Sequence, residues 1–354
     1  MPVLSVAIAV AIGIVLLLRK ARYNFERLPK IPYVSGAQLP EVSIIVPARN
    51  EEARIARVLG SFPEDMVVVV DDHSEDRTAE IAREMDVRVI SAPPLGEGKL
   101  GKPNACMAGA EATEGEWLLF VDADTKYARV FLPSLMRYAM EQDLEMVSVF
   151  LKQEAETLAE RMLLPYAFAL YFTGVNTGSV NGRPPREWLA NGQCLLVSRK
   201  AYKRMGGHAA VDSSVIEDVA LAKLAAEKGI KTRVTRAEHM GSVRMYDSFG
   251  AIVRGFEKNS FRFLQQNPMT AVQVVLASVL LTSWLPVLAL LLLNGYNRHA
   301  MLFALVPSVI LFPWYRSAAA LLAPAAIYVF QFIALNSMVK TLLGKKSVWK
   351  GREV

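Results

Sequence analysis

The chain has 354 residues, enough for one large domain or two small ones. Hydrophobic residues make up 53%, charged residues 21%, and the mean hydropathy is +0.26, which together favour a soluble domain joined to membrane segments. The formal net charge is +6, but no long basic run interleaved with aromatic residues predicts a nucleic-acid groove, and the two cysteines, Cys106 and Cys194, form neither a metal-ligand spacing nor a disulfide framework.

The first predicted element is a membrane anchor at residues 1–20. Residues 3–18 are apolar apart from Ser5 and Gly13, and four basic residues follow by position 27. A secretory signal would place its positive charge before the apolar stretch. Because basic residues flank the cytoplasmic ends of membrane spans, we expect an integral membrane protein with its next domain in the cytoplasm. The stretch is short for a full span, so a tilted or half-inserted helix is the alternative.

Apolar runs then alternate with helical spacings, which is typical of a doubly wound, parallel α/β sheet. We assign this α/β domain to residues 41–262, with a mobile loop over residues 91–104. The predicted strands are Val42–Pro47, Met66–Val70, Val87–Ile90, Trp117–Val121, Asn191–Val197 and Lys231–Val234. The predicted helices are Ala53–Phe62, Thr78–Met85, Asn104–Ala112 and Val219–Lys228.

The remaining segments are apolar. Residues 158–180 predict either a core helix or a helix lying on the bilayer near the active site. Residues 270–342 are assigned to C-terminal transmembrane helices, and residues 343–354 to a basic tail. Three apolar blocks in this region would leave the tail outside, against the positive-inside rule. Either one block is re-entrant or interfacial, or the predicted orientation is reversed.

Polar residues accompany the ends of several predicted strands. Asp122 and Asp124 follow the buried strand Trp117–Val121, and two hard oxygen ligands there suit Mg²⁺ or Mn²⁺ held with a diphosphate. An isolated Asp-x-Asp pair is more often a solvated turn, and Asp-Asp or Glu-Asp pairs are often turns or helix caps. Together they favour a shared cleft. The further polar stretches are Pro47–Glu51, Asp71–Asp72, Asn191–Gln193 and Glu217–Asp218.

As an ordered set, these stretches resemble the family-2 glycosyltransferases, over roughly residues 42–260. The matching motifs are Val46–Glu52, Asp71–Thr78, Gly101–Ala105, Val121–Asp124, Gly206–His208 and Glu217–Asp218. The resemblance implies a GT-A fold, with a doubly wound, mixed but mostly parallel sheet. Within the family the chain is most similar to membrane-bound enzymes that glycosylate apolar lipids, such as carotenoid-acid (diaponeurosporenoate) glucosyltransferases and hopanoid-associated glycosyltransferases. Arg244–Tyr246 and Gly255–Asn259 support that subgroup.

The resemblance also implies roles for individual positions. Asp218 would be the general base, Lys102 would lie near the ribose or diphosphate, and Asp124 with Asp122 would hold the metal and the sugar nucleotide. Further candidates are Asp71, Glu217 and Gln193. The residues that would frame the base and ribose are Pro47, Arg49, Glu51 and Asp72.

One departure from the family bears on the reaction. Processive members carry Gln-x-x-Arg-Trp after the base, whereas the comparable region here reads Arg254–Asn259, which argues against a polymer-extruding synthase. It leaves three candidates for the cation that faces the diphosphate: Arg244, Arg254 and Lys258.

The resemblance therefore implies an inverting, metal-dependent, non-processive transferase that moves a sugar, with a UDP-sugar as the expected donor, to a membrane lipid. One alternative is a polyprenyl-phosphate sugar transferase, which would favour a basic acceptor pocket; only Arg183 and Arg186 between residues 158 and 190 suggest one. The other is a non-catalytic sugar-nucleotide-binding membrane subunit, which would require loss of the base or the metal acids. Those acids, Asp122, Asp124 and Asp218, are all present.

Overall fold

The computed structural model describes the backbone of residues 2–34, 36, 40–182, 185–266, 268–343, 348–349 and 352–353, and the side chains of these residues except 259–269, 348–349 and 352–353. The chain divides into two compact units. We call Leu28–Glu154 with Gly178–Met245 the α/β unit, and Met1–Arg27, Ala155–Thr177 and Tyr246–Val354 the helical unit.

The α/β unit contains a seven-stranded sheet in the order β3-β2-β1-β4-β8-β6-β9. Only β8 among these strands runs against its neighbours, β4 and β6; the other pairings are parallel, so the predicted mixed, mostly parallel sheet is confirmed. The strands are β1 Val42–Ala48, β2 Val67–Asp71, β3 Arg88–Ser91, β4 Trp117–Val121, β6 Met146–Phe150, β8 Cys194–Ser198 and β9 Thr232–Arg236.

A second, three-stranded sheet lies in the same unit, in the order β5-β10-β7. Its strands are β5 Thr125–Tyr127, β7 Lys152–Gln153 and β10 Gly241–Val243. Strand β5 begins one residue after Asp124, and β10 pairs with it in an antiparallel register that places Val243 opposite Thr125. None of its strands is among the predicted ones, because each is too short to show an apolar period.

The central strands are buried on both faces of the main sheet. Ile44 and Val46 belong to one hydrophobic cluster and Ile45 to another, so successive side chains of β1 alternate between two covered faces. Gly109 of helix α4, Gly101–Glu111, lies against β1, since an added Cβ would come within 2.4 Å of Ile45 Cγ2. This close approach fixes α4 over the strands that carry the polar residues.

Two helices begin earlier than the sequence predicts, and each shift concerns a candidate site residue. Helix α4 begins at Gly101 rather than Asn104, so Lys102 lies in its first turn and not in a loop. Helix α9, Glu217–Glu227, begins before Val219, so Asp218 lies in its first turn. The other helices of this unit are α2 Ile55–Leu59, α3 Thr78–Glu84, α5 Phe131–Glu141 and α8 Arg199–Met205; the short α7, Thr177–Val180, begins at the unit boundary.

Among the described residues of the helical unit, three helical segments are long and apolar enough to cross a membrane: Pro2–Glu26, Thr270–Leu293 and Ala318–Leu342. The predicted block at 300–315 forms two helices of 8 and 10 residues, and Pro307 and Pro313 lie in the second. This block is not among the three candidate spans. The helices are α1 Pro2–Glu26, α6 Leu158–Thr173, α10 Phe249–Gln266, α11 Pro268–Thr282, α12 Trp284–Leu293, α13 Asn297–Ala304, α14 Val306–Tyr315 and α15 Ala323–Leu342.

Helix α6 packs inside the helical unit, as the core-helix prediction requires. Tyr166 and Phe172 are fully buried, the Tyr315 hydroxyl donates to the Met162 carbonyl at 2.6 Å, and Gln331 donates to the Tyr166 hydroxyl at 3.1 Å. The unit boundaries differ from the predicted continuous domain at 41–262, because α6 and α10 group with the other helices. Most of the predicted basic tail at 343–354 lies outside the described residues.

Candidate active site

The polar residues predicted to meet do so at one edge of the main sheet. Strands β1, β2 and β4 run parallel, so the residues that follow them lie at their shared carboxyl edge. Residues 191–193 arrive there by a different route from the one predicted. They precede β8, whose reversed direction brings its amino end to the same edge; the Asp122 amide donates to the Gln193 carbonyl at 3.2 Å.

We call residues 49–51 and 71–78 the turn cluster, because side chains there bind the backbone of neighbouring turns. Arg49 Nη1 donates to the carbonyls of Asp72 and His73 at 2.7 and 2.9 Å. The Glu51 amide donates to the Thr78 hydroxyl at 2.7 Å, and the Asp72 amide donates to a β1 carbonyl at 2.8 Å. These bonds hold the exits of β1 and β2 side by side.

Two further features fix the shape of the turn cluster. The Asp71 carboxylate accepts from the Ser74 amide at 3.3 and 3.4 Å. This is the local turn that an Asp-Asp pair often forms. Asn50 adopts φ of +52°, which Asn tolerates better than most residues, and its side-chain oxygen accepts from the Glu75 amide at 2.9 Å. Glu51 and Asp72 are both buried within this frame.

A second group, which we call the charged pocket, consists of Lys102, Asp122, Glu217 and Asp218. The Lys102 ammonium lies 2.7 Å from Asp122 Oδ1 and 2.9 Å from Glu217 Oε1. Burial opposes the charge on Lys102, but the two carboxylates outweigh it and hold its pKa well above the ordinary value. The four side chains line one pocket, to which Pro47 also contributes.

Asp218 is held at both carboxylate oxygens by backbone amides. Gly192 donates to Oδ2 at 2.6 Å and Val219 donates to Oδ1 at 2.8 Å. Burial, reinforced by the charge of Glu217, raises the pKa of Asp218 to about 7, although Lys102 and the two amides oppose the shift. A carboxylate that titrates near neutral pH suits proton transfer from a hydroxyl.

Gly192 lies where the charged side chains of this pocket come together. An added Cβ would lie 3.0 Å from Lys102 Nζ and 3.3 Å from both Asp218 Oδ2 and Glu217 Oε1. The missing side chain therefore lets three charged groups from two helices converge over one backbone position.

His208 also lines the charged pocket, and the sequence analysis quoted it only as part of a motif. Its Nδ1 lies 2.8 Å from the Tyr202 hydroxyl, and its ring meets Phe120 edge-on at 4.6 Å. Burial lowers the pKa of His208 to about 4, so the imidazole is neutral at physiological pH. Gly207 makes this contact possible, since a Cβ there would come within 2.5 Å of the Tyr202 ring. The Gly206–His208 motif was the sequence feature that could have identified His208 as a pocket residue.

The three candidates for the cation that faces the diphosphate lie in two different units. Arg244 follows β10 and donates its backbone amide to the Asp124 carbonyl at 3.1 Å, so it lies beside the Asp-x-Asp motif. Arg254 and Lys258 lie on α10, which belongs to the helical unit. Gln193 is buried, and its side-chain oxygen accepts from Asn191 at 3.0 Å and from Gln153 at 3.3 Å.

Asp122 and Asp124 are the carboxylates predicted to hold a divalent cation. In the described part of the chain, no group of three or more His, Cys, Asp or Glu side chains is placed to hold a metal ion. Asp122 and Asp124 nevertheless fit Mg²⁺ or Mn²⁺, because such ions in nucleotide sites take one or two protein carboxylates and complete their coordination with phosphate oxygens and water.

Comparison with known proteins identifies a matching family model and similar relatives. Residues 43–206 match the model of glycosyl transferase family 2. A 4,4'-diaponeurosporenoate glycosyltransferase from Staphylococcus haemolyticus is 31% identical over 235 residues, which cover 63% of this chain and 62% of the relative. The Staphylococcus aureus (strain USA300) protein of the same name is 27% identical and covers 62% of this chain and 60% of its own. The chain thus matches about three fifths of these curated relatives' length.

The fold has a solved counterpart. A mannosyltransferase from Pyrobaculum calidifontis, determined in complex with GDP-Man and Mn²⁺, superposes with a TM-score of 0.59 at 19% identity. The superposition covers 97% of this chain and 100% of the other. At this identity the likeness concerns the fold, and it confirms the expected GT-A architecture.

Proposed function

We propose that the protein transfers a sugar from a nucleotide-sugar donor, a UDP-sugar, to a lipid acceptor in the membrane. The match of residues 43–206 to the model of glycosyl transferase family 2 supports this proposal. The transfer is inverting and non-processive and uses Mg²⁺ or Mn²⁺. The observation that carries the proposal is the charged pocket, where Asp218, with a pKa of about 7, lies beside a cation and the first acid of the Asp-x-Asp motif.

The charged pocket supplies the groups that such a reaction needs. The acceptor oxygen attacks the anomeric carbon of the sugar, and the bond from that carbon to the diphosphate oxygen breaks. Asp218 takes the proton of a hydroxyl acceptor, while a carboxylate acceptor has none to give. Lys102 and Arg244 face the negative charge that collects on the departing diphosphate. A divalent cation held by Asp124 and Asp122 would neutralise part of that charge.

The turn cluster would receive the nucleotide. Arg49, Glu51 and Asp72 frame the base and ribose beside Pro47, on a turn whose backbone is fixed by the hydrogen bonds described above. The Pyrobaculum calidifontis mannosyltransferase binds GDP-Man and Mn²⁺ on the same fold, which supports a nucleotide-sugar site and a divalent metal in this chain.

A lipid acceptor is supported by the relatives and by the helical unit. Both curated relatives are named for diaponeurosporenoate, a carotenoid acid, and three helices here are apolar and long enough to span a bilayer. A polyprenyl-phosphate acceptor would favour a basic pocket; Arg186 is exposed, and Arg183 lies outside the described residues. A non-catalytic role is disfavoured because Asp122, Asp124 and Asp218 are all retained.

We further propose that the α/β unit is cytoplasmic and that the protein is integral to the cell membrane. With two C-terminal candidate spans rather than three, the basic tail lies on the same side as the α/β unit, and the conflict with the positive-inside rule disappears. A single cysteine at Glu75, with Cys106 and Cys194 replaced by serine, should resist an impermeant thiol reagent on intact cells and react after lysis. Labelling before lysis would reverse the topology.

The proposed reaction is tested with the full-length protein in detergent micelles, a radiolabelled UDP-sugar and carotenoid lipids that end in a carboxyl or a hydroxyl group. Transfer should stop in excess chelator and return with Mn²⁺ or Mg²⁺. Asp124→Asn should abolish transfer with little change in melting temperature, whereas the exposed control Asp65→Asn should retain it. Full turnover in chelator would refute the metal requirement, and full activity of Asp124→Asn would remove that residue from the site.

A further inference from the structure

Lys102 is shared between two carboxylates that come from different parts of the fold. Asp122 follows β4, and Glu217 opens α9, yet the Lys102 ammonium lies within 3 Å of both, at 2.7 and 2.9 Å. Their side chains are partly shielded, with exposed fractions of 36% for Lys102, 27% for Asp122 and 11% for Glu217. An ion pair in such surroundings is screened less than one at a protein surface.

The position of Lys102 is fixed by the backbone around it. Helix α4 begins at Gly101, and the Leu100 amide just before it donates to the Asp212 carbonyl at 2.8 Å. Gly192 leaves the space into which the ammonium extends, since an added Cβ would come within 3.0 Å of Nζ. The lysine is therefore held at Asp122 by the fold and not only by its own charge.

The two partners of the ammonium have different tasks in the proposed reaction. Asp122 is one of the two acids available to a divalent cation, while Glu217 precedes the base. A cation that approaches Asp122 must compete with an ammonium already 2.7 Å away. Glu217 gives the ammonium a second partner, since its Oε1 lies 2.9 Å from Nζ. Glu217 is not one of the proposed metal ligands.

We propose that Lys102 is a built-in counter-ion of Asp122 that weakens binding of a divalent cation in the absence of donor, and that Glu217 limits this competition by sharing the ammonium. The diphosphate of the donor supplies a third set of anionic oxygens for Lys102, so that cation and donor bind cooperatively. This inference rests on the proposed function, because it takes Asp122 and Asp124 as the metal acids.

The test measures Mn²⁺ binding to the full-length protein in detergent, without nucleotide sugar. Electron paramagnetic resonance gives the concentration of free Mn²⁺. Lys102→Met keeps most of the side-chain volume and removes the competing charge, so Mn²⁺ should bind about tenfold more tightly. Glu217→Gln leaves the ammonium to Asp122 alone, so Mn²⁺ should bind about threefold more weakly. A matched control is Lys99→Met, which removes the same charge from a lysine that pairs with Asp212 at 3.0 Å; its Mn²⁺ affinity should change less than twofold.

Each result has a defined meaning. Opposite changes in Lys102→Met and Glu217→Gln, with an unaltered control, support the counter-ion role, and added UDP should tighten Mn²⁺ binding more in the wild type than in Lys102→Met. A loss of affinity in Lys102→Met, or an equal gain in Lys99→Met, would overturn it, provided that thermal melting shows all variants folded. The proposed metal requirement fails separately, if the wild type binds no Mn²⁺ with or without UDP and transfers sugar in chelator.

Discussion

The turn cluster and the charged pocket lie on the same sheet edge but are held together by different kinds of bonds. In the turn cluster, side chains bind backbone groups, as Arg49 does with the carbonyls of Asp72 and His73. In the charged pocket, Lys102 binds the charged side chains of Asp122 and Glu217. Asp218 is held there by backbone amides, so the contrast concerns Lys102 and its two partners. Bonds to the backbone fix a shape, whereas pairs of side chains can exchange partners when a ligand arrives. The first region therefore suits the proposed recognition of the nucleotide, and the second suits the proposed chemistry.

The largest effect that separates the two regions is expected from Asp218→Asn. Loss of a general base should slow transfer to a hydroxyl acceptor by roughly 10²- to 10⁴-fold while nucleotide binding persists. Loss of a mere helix cap would cost about 1 kcal/mol of stability and leave activity in place. Transfer and nucleotide affinity should both be measured, with the exposed Asp65→Asn as the control.

Two outcomes of that experiment would contradict the assignment. Normal transfer to a hydroxyl acceptor would make Asp218 structural. Loss of nucleotide binding would assign it to the donor side, and Glu217 would be the next candidate for the base. With a carboxylic acid as acceptor the decrease should be smaller, since that group is already ionised at neutral pH.

A pH effect of intermediate size should come from the charged pocket alone. Because the pKa of Asp218 is raised to about 7, the ionised base is lost as pH falls through 7, and kcat for a hydroxyl acceptor should drop about tenfold per pH unit below that value. Nucleotide affinity, which we propose depends on the turn cluster, should stay nearly constant from pH 6 to 8. The residual kcat of Asp218→Asn should not fall in this way below pH 7. If its dependence on pH is the same as that of the wild type, another group is responsible for the titration.

The smallest effect should come from the turn cluster. Arg49→Lys retains the charge but cannot reproduce the guanidinium geometry that spans two carbonyls, so the KM for donor should rise about tenfold, as one lost charge-assisted hydrogen bond implies. Here kcat should change less than threefold. Arg137→Lys is the matched control, because Arg137 is exposed, lies on α5 outside the turn cluster and pairs with Glu141. A fall in kcat with unchanged KM would instead give Arg49 a part in the chemistry.

The sequence predicts the two regions unequally well. Strands β1, β2 and β4 are evident from unbroken apolar runs, and the acids that follow them, Asp72 and Asp122, lie at the expected edge. Those predictions succeed because a strand covered on both faces leaves a continuous apolar signature. The roles of the candidate residues remain predictions, since position alone does not establish them.

Other features depend on tertiary contacts that leave little local pattern. The start of α4 at Gly101 puts Lys102 on a helix, although Pro93, Pro94 and three glycines among residues 91–104 predict a loop. The antiparallel direction of β8 follows from its neighbours and not from its own residues. His208 becomes noticeable only through its buried contact with Tyr202.

The reversed direction of β8 has a consequence for how this fold can diversify. A segment that follows a strand inherits the strand's position, but residues 191–193 reach the site before β8 begins. Changes in the length of the chain ahead of them can alter the surroundings of Asp218 without altering the register of β8 with β4, where Val121 is paired with Cys194. New acceptors can thus be accommodated by changing loop length while the pairing of the central strands, and the acids they carry, stays as it is.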